Sequence, residues 1–317
     1  MPRKLIVVPP PAPTSLERSV GDYLASVEAR GLSPRTLDHY EGILRRVFLP
    51  LLTDQGITEP NEITQRVLDR LSTHLLEEGG ARGALSRHSV ATYLRALGQY
   101  LNWCRKEGEL TTAAKPQPIK VPRRVLITLT REQIRLMEDA ATNERDKLAV
   151  RVLADTGVRL GELLGLTTGD LIEQGRHRFL RVMGKGSRER LVPLSPAMYS
   201  RLRRYINHTR PEDAATDRVF VTLRRSRVTG QYEPLDPRGV QTMVGALARR
   251  AGVTDRPTNP HAFRHAFATF ALRRGMGAVV LQRILGHADL TMISGTYSHL
   301  VPADTAQAMM ALLRAED

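Results

Sequence analysis

Two arginines, a lysine, two histidines and a tyrosine follow one another along the chain in frames suited to cutting a phosphodiester without a metal. Arg159 lies in TGVRLGELLGL, Lys185 in VMGKGSRERLVPL, His261 and Arg264 in HAFRHAFAT, and His287 and Tyr297 in LGHADLTMISGTYSHL. Such a reaction needs an attacking oxygen, neutralisation of the charge that grows on the non-bridging oxygens, and a proton for the departing 5′ oxygen. Tyr297 offers the attacking oxygen, although a phenol of ordinary acidity needs a cationic setting or a nearby base. Arg159 and Arg264 carry forked donors that match phosphate geometry. The i,i+3 spacing of His261 and Arg264 puts both on one side of an expected helix, within reach of one phosphate. His287 follows Gly286 at an expected helix end, where it can donate to a phosphate oxygen or exchange a proton with Tyr297. Lys185, at the tip of an expected hairpin, can swing in and protonate the leaving oxygen.

Taken singly, each has a plainer reading. Arg159 with Glu162 is often just a helix start, Lys185 a solvated turn lysine, His261 a core histidine and Tyr297 a packing tyrosine. Order and frame together favour the chemistry. His265 is assigned to structure, because one step along the helix from Arg264 should rotate it off the shared face.

The charge balance points to a polyanion as the partner. The 317 residues carry a formal net charge of +14, which favours nucleic acid over a neutral small molecule. Residues 121–317 hold 31 Lys+Arg against 20 Asp+Glu, whereas residues 1–120 hold 16 against 13. Only six of the 47 basic residues are lysines, and Lys147 and Lys185 are the only ones beyond residue 120. At 5%, aromatic residues are too sparse for a platform of stacked bases, so duplex binding through backbone phosphates is expected. Cys104 is the sole cysteine, which rules out an internal disulfide or a cysteine-based zinc site within one chain. No cofactor and no metal are expected. No apolar run approaches membrane-spanning length, and the expected location is the cytoplasm.

These residues need elements to position them. Residues 1–14, rich in proline, read as a disordered lead-in. Residues 15–108 read as a helical domain of four helical patterns. The first runs from Ser15 to Arg30 and is closed by Gly31. The second opens with Ser33 as cap and Pro34 at the first position, and Pro50 is expected to kink or end it. The third runs from near Thr64 to Gly79-Gly80. The fourth, about Ser86 to Glu107, turns Val90, Tyr93, Leu94, Leu97, Leu101 and Cys104 to one apolar face. Residues 109–128 read as an extended basic linker and 129–317 as a second domain. There Thr130 caps a helix, Asp146–Asp155 forms another that ends near Gly157, and Arg178–Met183 with Glu189–Pro193 form a hairpin. Helices follow to the end. The fold class is mainly α with a small antiparallel β-sheet.

With these frames in place, the chain resembles the tyrosine recombinase (phage integrase) family, and within it the simple Xer-like members. Residues 15–108 are similar to the helical core-binding domain, and 125–317 resemble the α+β catalytic domain. The resemblance implies a pocket of Arg159, Lys185, His261, Arg264, His287 and Tyr297, with Glu162 supporting the first arginine. It implies that Tyr297 attacks the scissile phosphate of double-stranded DNA to give a 3′-phosphotyrosine and a free 5′ hydroxyl, with no ATP and no divalent metal. It further implies four protomers exchanging strands through a Holliday junction, with room in the assembly for a second recombinase or accessory factor. The apolar tail Ala303–Leu313 resembles the terminal helix that docks on a neighbouring protomer, and a helix packed on its own domain is the other reading. No arm-binding domain is expected before residue 15, and the His287–Tyr297 spacing is longer than in many Xer-type sequences and resembles certain phage and transposon integrases. Two alternatives stand beside this reading: a type IB topoisomerase that nicks and relaxes DNA, and a non-catalytic DNA-binding protein on the same scaffold.

Overall fold

The computed structural model describes residues 14–79, 84–122, 127–184 and 188–286. The chain divides into two compact units, Met1–Arg124 and Val125–Asp317.

The first unit is helical. In α1, Ser15–Ala29, the Thr14 side chain accepts the Glu17 N–H while the Glu17 carboxylate accepts the Thr14 N–H, so both ends of the first turn are satisfied. Gly31, at φ 67°, turns the chain after it. Helix α2, Pro34–Ile43, starts with Ser33 as cap and Pro34 in its first turn, as the sequence suggests. Pro50 does not end this pattern, because helical backbone continues past it to Thr53. Leu44–Phe48 widens into a π turn, closed by the Leu49 N–H on the Leu44 carbonyl, and α3, Leu49–Thr53, follows with Pro50 in its first turn. Helices α4, Gln65–Glu77, and α5, Arg87–Lys106, complete the unit. Val90, Leu94, Leu97, Leu101 and Cys104 of α5 are buried in its core, with Tyr93 packed at the edge.

Residues 110–122 contain neither helix nor strand, yet they are not a free connection. Leu110 and Ala114 are buried in the first core, and Arg105 donates to the carbonyls of Thr112 and Ala114.

The second unit wraps helices around a three-stranded sheet. Helix α6, Arg131–Asp139, is capped by Thr130 and Gln133 reciprocally. Helix α7, Glu144–Thr156, runs through the core and stops at Gly157 in the left-handed region. Helix α8, Leu160–Gly165, is followed by β1, Leu171–Gln174, β2, His177–Met183, and β3, Glu189–Leu194, paired antiparallel in the order β1-β2-β3. The sequence pattern marks the last two strands but not β1. In register, Val182 opposes Arg190 and Met183 opposes Glu189. Then come α9, Pro196–Arg204, α10, Pro237–Arg250, α11, Pro260–Arg273, and α12, Ala278–Leu285. Among the described residues no helix is long and apolar enough to cross a membrane.

Gly157 explains how α7, α11 and α12 come so close. Its φ is +63°, and a Cβ there would lie 2.6 Å from Cδ1 of Phe267 and 2.8 Å from Cδ2 of Leu285. Gly157→Ala should therefore destabilise the protein by about 2–4 kcal/mol, combining overpacking with left-handed strain. Chemical denaturation of the full chain measures this, and a loss under about 1 kcal/mol would contradict the packing described.

Candidate active site

The site is built around the carboxyl end of α12. The last carbonyls of a helix have no partner within it and carry partial negative charge. Here three guanidiniums supply the donors. Arg190 Nε donates to the Ile284 carbonyl at 2.8 Å, and Arg264 Nη2 donates to the Leu285 carbonyl at 2.7 Å. Arg159 reaches the Leu285 carbonyl at 3.4 Å and the Gly286 carbonyl at 3.1 Å. Two of the sequence-predicted residues, Arg159 and Arg264, thus converge on one oxygen. Arg264 also donates to the Gly157 carbonyl at 2.7 Å, which ties it to the turn just before Arg159.

Glu162, in the first turn of α8, binds two of these arginines. Its carboxylate accepts the Arg159 backbone N–H at 2.7 Å and Arg159 Nη1 at 2.8 Å. It also accepts Arg190 Nη1 and Nη2 at 2.9 and 2.8 Å. Each carboxylate oxygen thereby takes two donors. Burial alone would raise the Glu162 pKa, but the hydrogen bonds and charge of Arg190, with the Arg159 backbone and side-chain bonds, outweigh it and bring it to about 2. The carboxylate stays ionised and is bonded to Arg159 through both its backbone N–H and its side chain.

Exposure separates the arginines. The Arg159 side chain is 39% exposed, against 13% for Arg190, and Arg264 is buried. Arg159 is the most exposed of the three.

His261 begins α11 one turn before Arg264. Loss of water around the ring, then the positive charges of Arg264 and Arg159, push its pKa below the ordinary histidine range. That response to both arginines places His261 in their field, and it favours a neutral imidazole at pH 7. The placement of His265 off the shared face is corrected. Its ring meets that of His261 edge-on, with centroids 4.7 Å apart, because residues four apart on a helix are neighbours.

Lys185, His287 and Tyr297 lie outside the described residues, as does the Ala303–Leu313 segment. Their attachment points are described. Gly184, immediately before Lys185, donates its N–H to the Arg188 carbonyl at 2.8 Å. A Cβ on Gly184 would lie 3.6 Å from Arg190 Nη1 and 3.8 Å from Glu162 Oε1. Gly286, immediately before His287, is held by Arg159. Among the described residues, no group of three or more His, Cys, Asp or Glu side chains is placed to hold a metal ion.

Arg190 was not anticipated, although the strand gave a signal. Val192 and Leu194 of β3 are buried, so the period-2 alternation puts Arg190 on the same inward side. An inward arginine requires an acidic partner.

A helical unit followed by an α+β unit with paired arginines at one helix end defines a class, and comparison with known proteins identifies it. Residues 128–303 match the phage integrase family. The chain is 30% identical to tyrosine recombinase XerC 2 of Ralstonia nicotianae over 308 residues, covering 94% of this chain and 86% of that protein. It is 34% identical to tyrosine recombinase XerD of Yersinia pestis over 232 residues, covering 70% and 73%. In fold it is similar to the Tn1549 transposon integrase in complex with a circular intermediate DNA, with a TM-score of 0.71 and 19% identity over 94% of this chain and 99% of that one. It is also similar to XerH site-specific recombinase bound to a palindromic difH substrate in a post-cleavage complex, with a TM-score of 0.67 and 19% identity over 91% and 83%. The chain belongs to the phage integrase family and is a tyrosine recombinase, an enzyme of site-specific recombination that breaks and rejoins DNA strands.

The histidine pair makes stability depend on pH. Burial, then the charges of His261 and Arg264, bring His265 down from 6.5 to about 4. Between those values the unfolded chain binds a proton that the folded chain refuses, so stability falls as pH drops through the window and levels off below it. The fall in thermal midpoint from about pH 7.5 to about pH 5 should be smaller in His265→Gln than in the wild type. Equal falls would contradict the assignment.

Proposed function

We propose that the recombination chemistry runs through a covalent 3′-phosphotyrosine, with Arg159, Lys185, His261, Arg264, His287 and Tyr297 as the catalytic set and Glu162 in support. The observation that carries this reading is the convergence of Arg159 and Arg264 on the Leu285 carbonyl. Two guanidiniums from distant parts of the chain share one small region, and a single carboxylate, Glu162, is bonded there to Arg159 and Arg190. The surplus positive charge suits a phosphodiester, whose negative charge rises in the transition state.

In the proposed sequence Tyr297 Oη attacks phosphorus as the P–O5′ bond breaks. The phenol proton passes to His287, and the Lys185 ammonium delivers a proton to the departing 5′ oxygen. Arg159 and Arg264 bind the non-bridging oxygens, and neutral His261 adds a hydrogen bond beside Arg264. The freed 5′ hydroxyl of the partner duplex then attacks the phosphotyrosine and restores the diester. The bond energy is conserved in the covalent link, so no nucleotide cofactor is consumed.

The substrate is duplex DNA, as the net charge of +14 favours. The working assembly is a tetramer of this chain on two duplexes that resolves through a Holliday junction, with Ala303–Leu313 docking between protomers. The topoisomerase alternative is not favoured, because the relatives that match most of the chain are recombinases.

A library of nicked suicide duplexes with randomised arms, from which covalent adducts are recovered and sequenced, tests the reading. The wild type should yield adducts on a defined core. Tyr297→Phe should yield none while still shifting duplex in a gel, and a Tyr297→Phe adduct would require another nucleophile. On the recovered duplex, Arg264→Ala should cleave about 100-fold or more slowly than the wild type, the loss of one preorganised donor.

A further inference from the structure

We propose that Arg190 is a positioning residue of the catalytic centre, holding Arg159 and the carboxyl end of α12 in fixed relation through the Glu162 carboxylate and the Ile284 carbonyl. The inference rests on the phosphodiester reading above and adds a residue to which that reading gives no role.

The geometry is specific to an arginine. One edge of the guanidinium forks onto both oxygens of Glu162, and Nε turns to the Ile284 carbonyl. A lysine ammonium has no planar fork and could not hold all three acceptors in this arrangement. The rest of the site closes around Arg190. Gly286, at φ +65°, passes so near that a Cβ there would lie 3.1 Å from Arg190 Nη1 and 3.2 Å from its Cδ and Cζ. The Arg190 side chain is 13% exposed, and all three of its guanidinium nitrogens are already bonded to Glu162 and Ile284.

Glu162 has four donors, two from Arg159 and two from Arg190. Without Arg190, half of its hydrogen bonds are lost. The carboxylate is then free to draw the Arg159 side chain toward itself, and the Ile284 carbonyl loses its donor. The expected consequence is a loss of chemistry with little change in duplex binding, because the phosphate contacts along the rest of the protein are untouched.

The test uses the full-length chain and the duplex recovered as adduct above, alongside the same duplex with a methylphosphonate at the scissile position. A methyl group in place of one non-bridging oxygen removes the charge that Arg159 neutralises, so a defect acting through Arg159 shrinks on that substrate. Arg190→Met and Arg190→Lys should each cleave the natural phosphate about 100-fold more slowly with binding within about threefold of wild type. On the methylphosphonate the defect should fall below about tenfold, and Arg159→Ala/Arg190→Lys should be no slower than Arg159→Ala.

Removing one partner of a buried ion pair can unfold a protein, so Arg190→Lys, which keeps the charge, is assayed below its own melting midpoint. Wild-type cleavage by Arg190→Lys overturns the proposal. So does an equal defect on both substrates, or a double variant whose losses multiply. A wild-type chain that forms no adduct overturns the functional reading and this proposal with it, whereas a wild-type adduct with undiminished Arg190→Lys cleavage overturns this proposal alone.

Discussion

The carbonyl end of α12 is the point from which the rest of the site is organised. A helix that stops inside a protein must find donors for its last carbonyls, and here Ile284, Leu285 and Gly286 find them on Arg190, Arg264 and Arg159. The requirement works in both directions. The arginines satisfy the helix, and the helix fixes arginines that arrive from a loop, a strand and another helix. Gly157 and Gly286 make this possible, since both take a left-handed backbone, a Cβ at Gly157 would clash with Phe267 and Leu285, and one at Gly286 would crowd Arg190.

Electrostatics follow from that packing. Three cations gathered at one helix end would repel one another without compensation, and the α12 dipole and the ionised Glu162 provide it. His261 beside them resists taking a proton, first because its ring is buried and then because of the charges of Arg264 and Arg159. The chain attaches Lys185 and His287 to glycines at the edge of this region, through Gly184 beside Glu162 and Gly286 beside Arg190.

Local signals were legible in the sequence where a single element fixes them. Ser33 and Thr130 cap helices as the sequence suggests, whereas Thr14, read as part of the lead-in, caps α1, and the alternation in Arg178–Met183 and Glu189–Pro193 marks the hairpin. Strand β1 was missed because it spans only four residues, too few to establish a period. The π turn before Pro50 inserts a residue that no spacing rule anticipates. His265 was misplaced by counting from Arg264, when counting from His261 puts it on the same face. Frames rather than periodicity marked Arg159 and Arg264, yet their meeting at Leu285 is a tertiary fact. Arg190 went unnoticed because its partner, Glu162, is brought to it only by the packing of α8 against the sheet.

The central claim is that Arg159 and Arg264, held at the end of α12, bind the same phosphate that Tyr297 attacks. A crystal structure of the covalent complex trapped on a suicide duplex tests it most directly. It should place both guanidiniums on non-bridging oxygens of the phosphate joined to Tyr297, with Arg190 still forked on Glu162. A phosphotyrosine whose oxygens are held by other residues, with the two arginines turned away, would contradict it.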